Sequence, residues 1–411
     1  MILILRDWKL ERKYPLIIFL VALFLRVLFL ITYQDGSALE NSLMADDAKI
    51  YVDIANNILE GKGYSLDGIH PMAWRVPGYS EFLSLILFLG DGHYLIVRLV
   101  QCILGAVTCF VLYLIGKEIY SNRIGIIASS IAALYYPFIQ MPIYLVTETL
   151  SIFLLLFSLW WLVKTKKNNS SWNFIISGIL LGIASLTRST FFGFYLLLPF
   201  IFMITSPQKK KGLYQGILVF AGIILAISPW VIRNYLHFQQ IIPMSTRSGF
   251  VLYQGHNPMA TGENGGWWPM GKEYIVPEET FQMSELEKNA YFGEKAKNFI
   301  INNPKASFYL FFRKVLNMWR PYYSGTSLIS KLVMLFSYLP VMILGTIGIF
   351  FSYKSWRKTT LLVAFIIYYV VVHAILVGTI RYRWPAMPFF FIFTAFTLDN
   401  LLEKYRIRIR F

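Results

Sequence analysis

The chain has 411 residues, 56% of them hydrophobic, 17% aromatic and only 15% charged, where an ordinary soluble domain carries about 25% charged residues. Its 38 Lys and Arg against 22 acids give a net charge of +16, a balance that would suit nucleic acid if it lay on one soluble face. The basic residues fall instead in short links between apolar runs of about 20 residues, each long enough to cross a hydrocarbon core of roughly 30 Å; nucleic acid is set aside, and the class is an all-α polytopic membrane protein.

In chain order, Arg6, Lys9, Arg12 and Lys13 precede the first apolar run without a small-residue cleavage site, which predicts an uncleaved signal anchor. Ten spans are expected, at 15–33, 93–116, 122–140, 142–163, 172–188, 190–205, 213–235, 328–351, 359–379 and 384–402. The basic links 6–13, Lys117 with Arg123, 164–167, 209–211, 354–358 and 404–410 all fall on one side. By the positive-inside rule that side is cytoplasmic, with both termini there. The first loop on the other side, 34–92, holds nine acids against three bases. The chain divides into an N-terminal membrane module (1–235), an external cap (236–327) and C-terminal spans (328–411), in a cytoplasmic membrane with the site facing outward.

Two external segments carry structure of their own. In the first, Ile50, Tyr51, Ile54, Ala55, Ile58 and Leu59 recur at helical spacing, with Asp46 as cap and Gly61 as stop. This predicts a helix lying along the membrane surface and holding Asp47 just above the lipid. The apolar stretch 79–89 is too short to cross alone and is expected to be re-entrant or to lengthen the next span. In the second, a capping box at Ser284 and Glu287 starts a helix that ends near Asn303-Pro304. Another follows over 305–319, whose aromatic face (Phe308, Phe311, Phe312, Trp319) with Arg313 and Lys314 suits a membrane surface. Cys102 and Cys109 lie seven residues apart on one span, about 10 Å along a helix, too far for a disulfide.

Asp47 and Glu148 are the candidate catalytic residues. A carboxylate at the edge of hydrocarbon is expensive to keep, which makes function the default hypothesis. Asp47 has a competing role as a helix-cap acid, and Glu148 as the partner of a nearby arginine. Arg75, Arg188, Arg233, Arg381 and Arg383, the last two flanking Tyr382, are expected on the outward side. Guanidinium groups there suit a phosphate head group, although each taken singly snorkels or neutralises an acid. Arg26 and Arg98 lie deeper and serve packing. The five histidines show no metal-ligand spacing, so neither a metal nor another cofactor is expected, and a divalent ion between Asp47 and Glu148 is not favoured. No phosphate-cradling glycine loop argues for a cytoplasmic nucleotide donor.

A series of motifs now carries a resemblance. The run from Asp47 through Tyr51, Ala55, Gly61 and Gly63, then Arg75-Val-Pro-Gly-Tyr, Thr147-Glu148, Leu186-Thr-Arg188, the 255–262 run with His256 and Asn257, Asn303-Pro304 and Arg381-Tyr-Arg-Trp-Pro385 resembles bacterial polyprenyl-phosphate-sugar glycosyltransferases. These are similar to the protein O-mannosyltransferases of glycosyltransferase family 39 and to the aminoarabinose transferases of lipid A. The motifs run in order along nearly the whole chain.

The resemblance implies a GT-C membrane fold of roughly 10–12 transmembrane helices, using a polyprenyl-phosphate-linked sugar at the outer membrane face. Asp47 maps to the family's general base or acceptor-orienting carboxylate, Glu148 to its second acid, and Arg75 to the base on the lipid phosphate. Arg188, Arg381, Tyr382 and Arg383 join Arg75 around that phosphate, and Tyr51 and Asn257 are assigned to the acceptor. The acceptor is a lipid, a glycan or a protein. Relatives of the aminoarabinose type carry an acid directly before the basic residue; here it is Trp74, which removes that candidate metal ligand. Inversion at the anomeric carbon is the expected chemistry. The rivals are a lipid-linked-glycan flippase or transporter, an oligosaccharide ligase or polymerase using a lipid diphosphate, and an assembly scaffold.

Overall fold

A computed structural model of the chain describes residues 2–32, 45–168, 170–262, 278–323 and 325–404. Its helices are α1 (Ile2–Thr32), α2 (Ala45–Leu59), α3 (Gly78–Leu89), α4 (Tyr94–Ile119), α5 (Asn122–Leu134), α6 (Tyr136–Gln140), α7 (Glu148–Asn168), α8 (Ser171–Thr187) and α9 (Thr190–Tyr195). They continue as α10 (Leu198–Thr205), α11 (Lys209–Phe238), α12 (Ser248–Gly255), α13 (Glu285–Asn302), α14 (Pro304–Met318), α15 (Leu328–Phe351), α16 (Trp356–Ile375) and α17 (Met387–Lys404). Among the described residues there is no sheet, and a single isolated bridge pairs Ser65 with Pro71.

Six segments are long and apolar enough to cross a bilayer: Lys13–Thr32, Tyr94–Ile119, Glu148–Lys166, Lys209–Phe238, Leu328–Ile375 and Ile380–Lys404. The bent pair Asn122–Leu134 and Tyr136–Ile143 makes a seventh. Leu328–Ile375 is itself two helices, α15 and α16, joined by the 3-10 turn Ser352–Ser355. Tyr338 of α15 meets Arg383 and His373 of α16 meets Tyr382, so residues before and after the turn reach one neighbouring segment and the chain has reversed between them. The apolar helices α8, α9 and α10 complete the bundle; α8, at 17 residues, extends only about 26 Å.

Three expected spans differ in detail, each for a local reason. The stretch 122–140 bends by 66° where Tyr135 turns extended and Pro137, lacking an N–H, cannot continue the α5 ladder. The span expected from 142 starts at Glu148, because a 3-10 turn, Met141–Ile143, and an extended Tyr144 come first. The span 190–205 divides into α9 and α10, with Pro199 opening the second.

Small residues set the helix contacts. A Cβ on Gly178 of α8 would lie 2.0 Å from the Val219 carbonyl of α11, and one on Gly222 would lie 2.1 Å from the Ile175 carbonyl. Backbones that touch so closely gain dispersion contacts, which drive helix association where lipid removes the hydrophobic difference. Leu16, Leu20, Phe24 and Ile31 on α1, with Phe336, Ile343 and Phe350 on α15, are exposed and form the hydrocarbon-facing surface.

The first-loop helix forms as expected and stops at Gly61, whose φ of +76° few L residues adopt. It does not lie free on a surface. Ala48, Tyr51, Val52, Ile54 and Ala55 are buried, and Tyr51 meets Tyr79 of α3 edge-on at 5.0 Å. The cap expected at Asp46 falls outside the described side chains. α3 is a separate helix whose first residue, Gly78, sits against the end of α8: a Cβ there would be 2.7 Å from the Leu186 carbonyl. In the second external segment the Ser284 capping box is complete. On α14 Phe308 and Phe312 are exposed, but Lys314 is fully buried and turns away from that face. Cys102 and Cys109 are free buried thiols.

Candidate active site

Five segments, drawn from four separate regions of the sequence, meet at one end of the bundle. α2 supplies Asp47 and, one turn later, Tyr51. The loop before α3 supplies Arg75. Glu148 is the first residue of α7, where the helix dipole favours a carboxylate. Arg188 directly follows α8, which ends because Arg188 is extended, at φ −146° and ψ 102°. Arg381 and Tyr382 stand in the 3-10 turn Ile380–Ala386.

Arg381 joins the two acids. Its Nη1 donates to Asp47 Oδ2 at 2.8 Å, its Nη2 donates to Glu148 Oε2 at 2.9 Å, and its Nε donates to Glu148 Oε1. Arg75 closes the network at the other oxygen of Asp47. Arg188 closes it at Glu148 Oε1, 2.9 Å away, while donating through Nε to the Tyr369 hydroxyl at 2.8 Å. Three guanidinium groups thus share two carboxylates in the order Arg75, Asp47, Arg381, Glu148, Arg188. Glu148 is wholly buried, whereas the Asp47 side chain keeps 30% of its exposure. Asp47 is therefore the acid a ligand can reach.

Partial burial alone would raise the Asp47 pKa, yet the charges of Arg75, Arg381 and Arg247 hold its carboxyl well below the usual carboxylate range. A site with three arginines and two carboxylates keeps one positive charge, ready for an anion. Aromatic faces line it: the Arg75 guanidinium lies 5.3 Å from the Tyr51 ring, and that of Arg188 lies 5.5 Å from Tyr382. Tyr382 in turn stacks on His373 at 4.5 Å.

Asp47, Glu148, Arg75, Arg188, Arg381, Tyr382 and Tyr51 are thereby brought together. Arg383 turns away: it is buried, donates to the Arg320 and Met318 carbonyls, and lies 3.8 Å from the Tyr338 ring. It fixes the segment after α14. Asn257 holds its own turn, donating to the Tyr253 carbonyl at 2.8 Å and accepting the Met259 N–H at 2.8 Å. Arg233 braces the first loop by donating to the carbonyls of Met72 at 2.7 Å and Tyr64 at 3.0 Å. Arg26 is buried, donating to the Ala22 carbonyl at 2.8 Å and to Cys109 Sγ at 3.6 Å. Among the described residues no group of three His, Cys, Asp or Glu side chains is arranged to hold a metal ion.

Four further residues of the site were not foreseen. Tyr369 lies mid-run in an apolar span, with no local signal. Glu285 was hidden inside the capping box, yet its carboxylate accepts the Ala73 N–H at 3.0 Å and the Thr246 hydroxyl, tying α13 to the loop that carries Arg75. Arg247 lies 5.8 Å from the Trp74 ring and adds its charge near Asp47. Lys314 donates to the Ile375 carbonyl at 3.0 Å and sits 3.3 Å from His256 Nε2, behind the segment that leads to Arg381. Desolvation lowers the Lys314 pKa to about 7.

The spans and helix order define the class: a multi-pass, all-helical membrane protein with a GT-C-like fold. Residues 70–232 match the family model described as dolichyl-phosphate-mannose-protein mannosyltransferase, the stretch that holds Arg75, Glu148 and Arg188. The chain is similar in structure to the archaeal oligosaccharyltransferase AglB from Archaeoglobus fulgidus in complex with an inhibitory peptide and a dolichol-phosphate. The TM-score is 0.59 at 14% identity, over 97% of this chain and 52% of that one. The apo form of the Archaeoglobus fulgidus oligosaccharyltransferase gives 0.59 at 14% identity, over 97% and 51%. The chain thus spans about half the length of these structures. A search of curated protein sequences returns no match.

Proposed function

We propose that this protein is a glycosyltransferase that moves a sugar from a polyprenyl-phosphate donor to an acceptor hydroxyl or amine, at the outer face of the cytoplasmic membrane and with inversion. The observation that carries this reading is the bridge of Arg381 between Asp47 and Glu148, closed by Arg75 and Arg188. In the structure the acids occupy the arginines. An incoming donor phosphate competes for Arg75 and Arg381 and loosens Asp47 from its partners, leaving that carboxylate to orient the acceptor and take its proton. The acceptor atom attacks the anomeric carbon while the bond from that carbon to the phosphate oxygen breaks. The electron pair leaves with the lipid phosphate, and the arginines stabilise the charge that develops there, an effect worth several kcal/mol in a water-poor site.

The dolichol-phosphate held by the similar oligosaccharyltransferase supports a lipid-phosphate ligand for this fold. The test is transfer of labelled sugar from a panel of polyprenyl-monophosphate and polyprenyl-diphosphate donors by purified protein, with Asp47→Asn beside it. Transfer from a monophosphate by the wild type, lost in the variant with donor binding retained, is the expected outcome. Unchanged turnover in Asp47→Asn removes the base assignment. Transfer from diphosphates alone moves the reading to a ligase, and labelled lipid crossing vesicles without transfer moves it to a flippase.

A further inference from the structure

The first loop has a second face. Behind the segment that carries Arg75, a cavity of about 570 Å³ opens between that loop, the start of α3, the end of α8 and the last turns of α11. Arg75 is tied to this cavity through the backbone: Tyr64, one of its walls, donates its hydroxyl to the carbonyls of Arg75 and Val76, both at 3.1 Å. Lys62, Arg233 and His237 line it, and so does one acid, Glu81. The contacts Arg233 makes to Met72, Asn234 and Tyr64 use three of the five N–H groups of a guanidinium. Lys62 pairs with Glu60, and both side chains are about half exposed, a pairing worth little in water. Ser65 also lines the cavity; it is 1% exposed, and its hydroxyl has no hydrogen-bond partner among the described residues. A buried hydroxyl left unpaired is costly, and a polar ligand would remove that cost.

The surroundings are lipid-like. Leu66 and Ile69 on the loop tip, and Ile232 and Leu236 on α11, are exposed. Leu186, Ala226 and Pro229 form the apolar part of the wall. We propose that this cavity binds the headgroup of a membrane phospholipid bearing both a phosphate and a primary ammonium, separate from the Asp47 and Glu148 site. The phosphate meets Arg233, Lys62 and His237, the ammonium meets Glu81, and the acyl chains leave along α11 between its exposed side chains. Charge-assisted hydrogen bonds at both ends select this headgroup over one carrying a quaternary amine, which has no N–H to donate. Occupancy also braces Tyr64, and through it the backbone at Arg75.

The test measures binding, not turnover, so its outcome does not depend on the glycosyltransferase reading. Purified protein in detergent is incubated with radiolabelled short-chain phosphatidylethanolamine, and retained lipid is measured after gel filtration. Competitors are phosphatidylcholine, phosphatidylglycerol, free phosphoethanolamine and inorganic phosphate. The expected result is saturable retention near one lipid per chain, with phosphatidylcholine competing about tenfold less well. Lys62→Glu with His237→Glu should weaken retention by about tenfold or more. Glu81→Lys should reverse the preference toward phosphatidylglycerol, a gain that misfolding cannot imitate. Competition by free phosphoethanolamine as strong as by the lipid would replace the membrane lipid with a soluble ligand and overturn the proposal. Retention that is unsaturable, or equal for all lipids and variants, would reduce the cavity to ordinary lipid contact and overturn it as well.

Discussion

Arg381 holds a position that no other cation can fill. It reaches Asp47 with one nitrogen and both oxygens of Glu148 with the other two, which needs the planar fork of a guanidinium. Arg381→Lys keeps the charge but loses the fork, so turnover should fall about 10²- to 10³-fold, measured by steady-state sugar transfer; activity near wild type would show that the bridge is incidental. The Asp47 carboxyl is held below the usual range by Arg75, Arg381 and Arg247. Its charged form is therefore favoured by folding. That contribution is complete above the ordinary carboxylate pKa of about 3.9 and is lost only as pH falls through the lower folded value. Profiles of kcat/KM report the free enzyme and profiles of kcat the loaded one. If donor phosphate draws the arginines off Asp47, the acidic limb of kcat should lie at higher pH than that of kcat/KM. A common limb in both profiles would sink the release step. Glu148→Ala is a harsher change than Glu148→Gln, because it leaves Arg188 and Arg381 facing an empty buried site, and breaking such a pair costs about 3–5 kcal/mol.

Helices and loops decide whether these side chains meet at all. The contact of α8 with α11 depends on Gly178 and Gly222, so Gly178→Leu should force the pair apart and lower the melting temperature in detergent by several degrees or more; an unchanged melting curve would mean that the helices slide at no cost. α14 acts through Lys314, which supports the segment before Arg381 from behind. Its pKa is lowered to about 7, so between about pH 7 and the unfolded value of about 10.4 the unfolded chain binds more protons than the folded one. In that window this residue makes stability rise with pH. The melting temperature of wild type should therefore gain more between pH 7 and 9 than that of Lys314→Met, in which the titrating group is gone. Parallel curves would show that Lys314 stays charged. The sequence reached the helices of this region but not this role, since Lys314 shares a short stretch with Phe311, Phe312 and Arg313, and helical spacing does not say which of them faces α16.

At the scale of the whole molecule, legibility follows the range of the forces involved. Apolar length revealed the long spans but not the breaks in them, and local chemistry revealed the capping box at Ser284 and the stop at Gly61, because such signals sit within a few residues of what they specify. The charges of Asp47, Glu148, Arg75, Arg188 and Arg381 stand out in the sequence and meet in the structure, whereas Arg383, equally conspicuous there, turns away to the Arg320 carbonyl. Their pairing was not legible: nothing near Arg381 announces Asp47, 334 positions away, and nothing near Glu285 announces the Ala73 N–H. Proline breaks are visible in the sequence as residues but not as angles, so the 66° bend after α5 is not legible there. The same hierarchy yields a global prediction, because the network end of the bundle and its basic links should face opposite sides of the membrane. Single cysteines replacing Lys62 and Lys288 mark the first end, and ones replacing Lys209 and Lys354 mark the other, in a chain whose own two cysteines are buried and free. In sealed inside-out vesicles, a membrane-impermeant maleimide should label positions 209 and 354 and spare 62 and 288 until detergent is added. The reverse pattern would put the arginine network on the cytoplasmic side, where the donor would have to arrive from the inner leaflet, and the outer-face reaction would fall with it. Labelling on both sides within one of these pairs would instead break the antiparallel path of the chain, and with it the meeting of the five segments at a single end.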